Sequence, residues 1–395
     1  MKIDAIRCRE LTGVMPFEGE FWEERLARPI DVYPEHRAEG AHWLERRDEG
    51  AYQIRATFVE IGTDAGIIGL AGPITPAIAH IILADFKELL LGANPLAAEL
   101  LWDKMYRLSV HGRKGVTMMA ISAVDCALWD IRGKWFDAPV YTLLGGPTRE
   151  RIPVYASMLG FSVEPEQAAA RAREYAAQGY TAQKWFFRAV PADGRAGIER
   201  NVALVKAVRE AIGPDADLML DTWMSWDLRY ARTMAERIAE YHPRWVEEPV
   251  MPDKVDVCAQ IRQHAPYPIS NGEHEYTRWG FHKLLEARAQ DVLQPDIFWA
   301  GGISEVAKIA ALASAYDVEV VPHNHSTYAT LHFSASQSPA LCPVQEYLVK
   351  WNTQLNFFFT HKPEPVNGYI ELPQQPGIGW EIDESLVESQ RILVS

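Results

Sequence analysis

Leu218-Met219-Leu220-Asp221, Trp245-Val246-Glu247-Glu248-Pro249 and Ser270-Asn271-Gly272-Glu273 are three short, largely apolar runs, each closing on a carboxylate. From Asp221 to Glu247 is 26 residues, and from Glu247 to Glu273 is again 26. One strand, one helix and the connections between them occupy such a repeat. Working outward, β-rich runs end near Met158, Phe186, Thr222, Glu248, Glu273, Asp296 and His323, with a weaker one around Glu346. Helical stretches separate them. In one, Ile198, Val202, Val205 and Ile212 share a face and Gly213 is a stop. About eight units over roughly 210 residues is the count of a (β/α)8-type barrel. A doubly wound open sheet usually has fewer strands and often a glycine-rich nucleotide loop; no GxGxxG or GxxxxGK[ST] occurs here.

The N-terminal part has a different rhythm. Tyr52 to Ile61 is a β-rich run, Gly62 to Gly66 a turn, and Ile67-Ile68-Gly69-Leu70 a hairpin partner. Val116 to Trp135 is helical, so strands followed by helices predict an α+β unit. Residues 11–50 are polar, with Pro16, Pro29 and Pro34, and read as a long loop; in a compact domain such a loop is usually functional or disordered. From about residue 361 the chain is rich in Pro and Gly and reads as an irregular strap packing back on the first domain. The expected organisation is 1–135, an α+β capping domain; 136–360, a barrel with the active site; and 361–395, the strap.

Composition narrows the function. Of 395 residues, 48% are hydrophobic and 23% charged, an ordinary globular mixture. Lys plus Arg is 39 and Asp plus Glu 53, a net charge of −14, which argues against nucleic acid as a partner. Cys8, Cys126, Cys258 and Cys342 form no CxxC pair, against a disulfide framework or zinc knuckle. The N-terminus lacks a signal-peptide apolar core, and Ile67 to Ala84 is too interrupted by Pro73, Pro76 and His80 to span a membrane. A soluble cytoplasmic protein is expected.

In a barrel the C-terminal strand ends converge on one face. A single acid there reads as a helix N-cap. Asp221, Glu247 and Glu273, on adjacent parallel strands, would repel one another without a cation, and oxygen ligands with open water positions suit Mg²⁺. The next two strands end on Asp296 and His323, 27 residues apart. A carboxylate accepting a hydrogen bond from one imidazole nitrogen fixes the tautomer and raises basicity at the other. Lys184 is a charge at an otherwise apolar strand end, either a rim lysine or a site lysine. Glu346 closes the circle. His274 follows a ligand candidate directly. His323-Asn324-His325 also invites a metal-dependent amidohydrolase, but in that fold the HxH pair sits on the first barrel strand, and here it follows about the seventh.

These residues, with Ser122-Ala123-Val124-Asp125-Cys126-Ala127-Leu128-Trp129-Asp130, Leu143-Leu144-Gly145-Gly146, Asp221-Thr222-Trp223-Met224-Ser225, Gly272-Glu273-His274, Gln294-Pro295-Asp296, Val321-Pro322-His323 and the tail Pro365-Val366-Asn367-Gly368, carry a resemblance along nearly the whole chain. The chain resembles the enolase superfamily in its mandelate racemase subgroup, and within it the rhamnonate dehydratases and related acid-sugar dehydratases. The resemblance implies a (β/α)7β TIM-like barrel with an α+β N-terminal capping domain and a C-terminal strap, the 11–50 segment closing over the substrate. By motif, Asp221, Glu247 and Glu273 correspond to Mg²⁺ ligands and His323 with Asp296 to a catalytic dyad. Glu346 corresponds to an acid hydrogen-bonding the developing enediolate, and Lys184 to the first lysine of a KxK pair. Trp22, Arg46, Arg47 and His274 are the expected substrate contacts. The implied partner is a small sugar acid, and relatives are commonly homo-oligomers.

Two departures bear on the reaction. Phe186 stands where the second KxK lysine would be, which counts against racemisation and for a dehydratase using one acid/base. An epimerase or cycloisomerase of a sugar acid is the alternative. In the capping loop, Phe21-Trp22 replaces the His-Trp of rhamnonate dehydratases, so rhamnonate itself is not the expected substrate.

Overall fold

The computed structural model describes residues 1–41 and 44–394. Its N-terminal sheet is built on β1 (Ile3–Pro16) and β3 (Ala51–Thr63), antiparallel along their full length, from Ile3 opposite Thr63 to Pro16 opposite Ala51. β2 (Glu45–Asp48) and β4 (Ile68–Ile74) both pair with β3. The hairpin expected at Ile67–Leu70 is therefore present. The expected 11–50 loop is shorter than its polarity suggested. Leu11 and Met15 are buried in the sheet, so β1 continues to Pro16, and β2 begins at Glu45. The helix α1 (Val116–Trp135), as expected, is buried along most of its length because it is sandwiched between this sheet and the barrel.

Among the described residues, eight parallel strands follow: β5 (Arg151–Ser157), β6 (Ala182–Phe186), β7 (Asp217–Asp221), β8 (Trp245–Glu247), β9 (Ile269–Asn271), β10 (Val292–Leu293), β11 (Glu319–Val320) and β12 (Gln345–Leu348). Their spatial order is β11-β10-β9-β8-β7-β6-β5-β12, a barrel of the (β/α)7β kind. The seam between β11 and β12 is bridged by Asn324, which donates from its backbone to Glu346 Oε2 at 3.1 Å and from its amide to Glu346 O at 2.5 Å.

The tail is more ordered than an irregular strap. β13 (Tyr369–Glu371) lies antiparallel on β5, and β14 (Ser389–Leu393) extends the N-terminal sheet beside β1, whose outer edge is otherwise free for pairing. Asp130 of α1 accepts hydrogen bonds from Leu70 N and Ile378 N, both at 2.9 Å, tying sheet, helix and tail together. The four cysteines are buried and unbridged. Among the described residues, no helix is long and apolar enough to cross a membrane.

A small apolar cluster fills the barrel: Tyr155, Ala182, Met219, Trp245, Val292, Val321 and Val344. Successive strand residues alternate faces, so the residue two further on points inward again, one layer higher. Two on from these are Ser157, Lys184, Asp221, Glu247, Gln294, His323 and Glu346. The apolar floor and the polar ring above it are consecutive layers of one pattern.

Candidate active site

Lys184 stands at the centre of the ring. Its Nζ is 2.8 Å from Glu247 Oε1, 2.8 Å from Glu346 Oε1 and 3.8 Å from Asp221 Oδ2, and the side chain is 3% exposed. Burial by itself would lower the lysine pKa, but the charges of Glu247 and Glu346 outweigh it and raise it well above the ordinary value. Burial also pushes Glu346 up, yet Lys184 and His323 prevail and hold it below the usual carboxylate range. Glu346 is thus an ionised acceptor of hydrogen bonds in this arrangement. The role of an acid donating to a developing enediolate needs a proton that Lys184 drives off.

Glu247 Oε2 accepts from Gln294 Nε2 at 2.9 Å and Trp245 Nε1 at 3.3 Å. Asp221 sits in register opposite Glu247 and is pushed well up, by burial first and then by the charge of Glu247. Glu273 arrives differently. Ser270 is the register partner of Glu247, so Gly272 and not Glu273 would point inward by alternation. Gly272 has φ 132°, open chiefly to glycine, and this turns the Glu273 carboxylate back into the ring. Glu273 Oε1 accepts from Trp223 Nε1 at 3.0 Å, and its pKa is raised to about 7 by burial and the charges of Glu248 and Glu247.

His323 Nδ1 lies 2.7 Å from Asp296 Oδ2, leaving Nε2 directed at Glu273 Oε2 (3.5 Å) and Glu346 Oε2 (4.0 Å). Asp296 is fixed by backbone donors from Phe298 at 2.7 Å and His325 at 3.1 Å. Burial would lower the imidazole pKa; Glu273, the Asp296 hydrogen bond and Glu346 together raise it to about 10. His325, by contrast, is lowered by burial. A second pair went unread in the sequence. His274 Nδ1 is 2.8 Å from Glu248 Oε2 and 3.4 Å from Glu273 Oε1, and despite burial these carboxylates raise it to about 9. The Trp299 ring lies between the two histidines, 4.9 Å from His323 and 5.6 Å from His274. Trp223, Met224 and Glu248 have positive φ (42°, 61° and 42°), a conformation that side chains rarely adopt and that gathers at functional sites.

The expected cap contacts fall elsewhere. Trp22 covers Gly160 and packs on Trp351 at 4.9 Å. Phe21 is buried among Phe17, Trp22 and Tyr52. Arg46 donates to Gly19 O at 2.7 Å, and Arg47 pairs with Glu388 of the tail at 2.5 Å. Both arginines lie on the exposed edge strand β2, so neither is brought to the ring.

The donor set suits a hard cation. Asp221, Glu247, Glu248, Glu273, Asp296 and Glu346 are all buried, six carboxyl groups set beside three basic ones, Lys184, His274 and His323. Among the described residues, the donor atoms that lie within 4.8 Å of one another belong to Glu248, Glu273 and His274. That triplet is already satisfied as an imidazolium between two carboxylates. Asp221, Glu247 and Glu273 offer oxygen alone; burial first, and then the neighbouring carboxylates, raise the pKa of Asp221 and Glu273, so a cation there would favour their charged forms.

Residues 50–145 match the family model described as the mandelate racemase / muconate lactonizing enzyme N-terminal domain, and residues 167–386 the one described as enolase C-terminal domain-like. The chain belongs to the enolase superfamily. Within it, the chain is 35% identical to an L-rhamnonate dehydratase from Saccharopolyspora erythraea over 397 aligned positions, covering 96% of each. The Mg-complexed structure of rhamnonate dehydratase from Gibberella zeae matches with a TM-score of 0.83 and 33% identity, over 98% of this chain and 95% of that one. The 3,6-anhydro-D-galactonate cycloisomerase from Zobellia galactanivorans matches at 0.80 and 32%, over 98% and 100%.

Proposed function

We propose that this enolase-superfamily protein is a Mg²⁺-dependent sugar-acid dehydratase, a hydro-lyase that removes the proton α to a carboxylate and eliminates the β-hydroxyl to give a 2-keto-3-deoxy acid. The observation that carries this is the His323–Asp296 pair, aimed by Nε2 into a ring centred on Lys184, with Phe186 where a second base would stand. Relatives with dehydratase names at this identity support the same class.

Asp221, Glu247 and Glu273 would hold the Mg²⁺. When bound, it supplies Lewis-acid stabilisation of charge on the substrate carboxylate and neutralises Glu273, whose charge does most to keep His323 protonated. His323, neutral at Nε2 and oriented through Nδ1 by Asp296, takes the α-proton. The same imidazolium then returns it to the departing hydroxyl, so both groups leave from one face and the elimination is syn. Lys184, held by Glu247 and Glu346, presents a fixed positive charge to the oxygen on which negative charge develops.

A cycloisomerase is the second reading, favoured by the similarity to the Zobellia galactanivorans enzyme over nearly the whole chain. A panel of aldonic and aldaric acids with Mg²⁺ separates the two. Dehydration gives a keto acid trapped by semicarbazide, and EDTA should abolish it. L-Rhamnonate belongs in the panel because relatives of this chain carry that name; the Phe21 ring is packed among Phe17, Trp22 and Tyr52, so it supports no argument against this acid. No turnover of any acid, or full activity after metal stripping, would overturn the proposal.

A further inference from the structure

Beyond β1, residues 23–30 cross the barrel mouth. On one side Glu23 N donates to Gly160 O at 2.8 Å, Lys350 Nζ holds Glu23 Oε1 at 2.9 Å, and Ala27 N donates to Phe187 O at 2.7 Å. These anchors follow β5, β12 and β6. On the other side Arg28, Pro29 and Ile30 face Trp223, Met224 and His274 across a cavity of about 640 Å³. Trp223 and His274 both touch Glu273, so this cavity adjoins the ring.

At the centre of the segment lies Arg25, with no exposed surface. Its guanidinium donates to Asp31 Oδ2 at 2.7 Å and Oδ1 at 3.0 Å, to Leu26 O at 2.9 Å, His36 O at 2.7 Å and Glu39 O at 2.8 Å. Asp31, equally buried, also accepts from Arg28 N at 2.9 Å. Among the described residues, the side-chain hydrogen-bond partners of Arg25 lie between Leu26 and Glu39. Its planar fork closes a turn that carbonyl groups alone could not close, since they have no donor of their own to share.

Resting on the reading of the ring as a sugar-acid site, we propose that Arg25 is a positioning residue: through Asp31 it holds Arg28-Pro29-Ile30 over Trp223 and His274, and so sets how tightly the end of the substrate remote from its carboxylate is held. Ile30 is the wall, and Arg25 the fastener that keeps the wall in place.

The test uses the full chain carrying Arg25→Met, Ile30→Ala, and the double change Arg25→Met/Asp31→Leu. Hydrogen exchange of residues 23–39, read without substrate, should speed up at least ~10-fold in both Arg25 variants while the barrel strands stay protected. On the acid that the wild type turns over, KM should rise ~10-fold or more in all three with kcat within ~3-fold. Replacing a buried ion pair by apolar residues commonly restores stability. The double variant should therefore regain stability but keep the raised KM, because Leu26 O loses the Arg25 donor and His36 O and Glu39 O keep only the longer contacts from Arg28 (3.4 Å) and Arg188 (3.5 Å). Recovery of KM along with stability would make Arg25 merely structural and overturn the proposal. So would unchanged exchange in the segment, a measurement that needs no turnover and decides the matter even if no sugar acid is a substrate.

Discussion

Replacing Lys184 by Met keeps an unbranched apolar stem and removes the ammonium, whose Nζ lies 5.9 Å from the Tyr155 ring centroid. Two carboxylate oxygens at 2.8 Å, Glu247 Oε1 and Glu346 Oε1, then lose their cation inside the barrel. With an effective dielectric near ~20, each contact is worth about 6 kcal/mol in Coulomb terms. Most of that is offset because the ammonium need no longer be desolvated, and stranding buried partners of a lost ion pair costs about 3–5 kcal/mol net. The sign of the pH dependence follows from Glu346. In the wild type its folded pKa is lowered, so its contribution is present above the unfolded value and fades only as pH falls through the folded one. Without Lys184, burial dominates and raises it, so the variant loses stability as pH climbs above the unfolded value. The gap between wild type and Lys184→Met in urea unfolding should therefore widen from pH 5 to pH 8. Added Mg²⁺ should close it only in part, since it relieves Asp221 and Glu247 and leaves Glu346 without its nearest cation. The rate should fall ~10²–10³-fold, as for loss of one preorganised electrostatic group. A gap that is constant or narrows toward pH 8 would refute the assignment of Lys184 as the counter-charge of Glu346.

Further expectations concern the base and the third carboxylate. His323→Asn should abolish dehydration and also exchange of the α-proton with solvent deuterium; exchange at the wild-type rate would mean that another base exists. Gly272→Ala places a Cβ 2.9 Å from Phe281 and 3.2 Å from Gln294 N on a backbone at φ 132°, so the chain must shift and carry Glu273 with it. Mg²⁺ affinity, read by titration calorimetry, should drop at least ~10-fold, as expected when one of three hard ligands is displaced. Wild-type affinity in that variant would show that Glu273 is not a ligand.

The barrel was legible because each strand of a parallel sheet is a short apolar run with a polar residue at its exposed end. Phe186 and Glu346 lie on such strands, and the other six expected ends lie one to three residues past the end of one. What local pattern did not carry was pairing at a distance. β1 extends to Pro16 because β3 lies beside it residue for residue, and no feature of Gly13 to Pro16 alone says so. Arg46 and Arg47 occupy an edge strand whose neighbours, Gly19, Glu20 and Glu388, are settled by tertiary placement. Arg25 looked like one more charge in a polar segment, yet it is wholly buried. The Glu248–His274 pair had a signal in the doubled Glu247-Glu248, one of which had to point away from the first inward position.

Equal spacing along the chain turned out to have two different causes. Asp221 and Glu247 are 26 residues apart and face each other directly across β7 and β8, as one repeat implies. Glu247 and Glu273 are also 26 apart, but the register partner of Glu247 is Ser270, three residues earlier. Leu293 pairs with Asn271 on one side and Val320 on the other. Three residues beyond each of these lie Asp296, His274 and His323, which places His274 and not Glu273 in line with the dyad. Glu273 joins the carboxylates only because Gly272 breaks the alternation. A period in sequence therefore assigns a carboxylate to a strand end, while the side chain's direction depends on strand parity and on any glycine that reverses it. The same reasoning locates sensitivity to mutation: Asp221 and Glu247 are held by the ladder itself, whereas the third carboxylate hangs on one backbone torsion at Gly272.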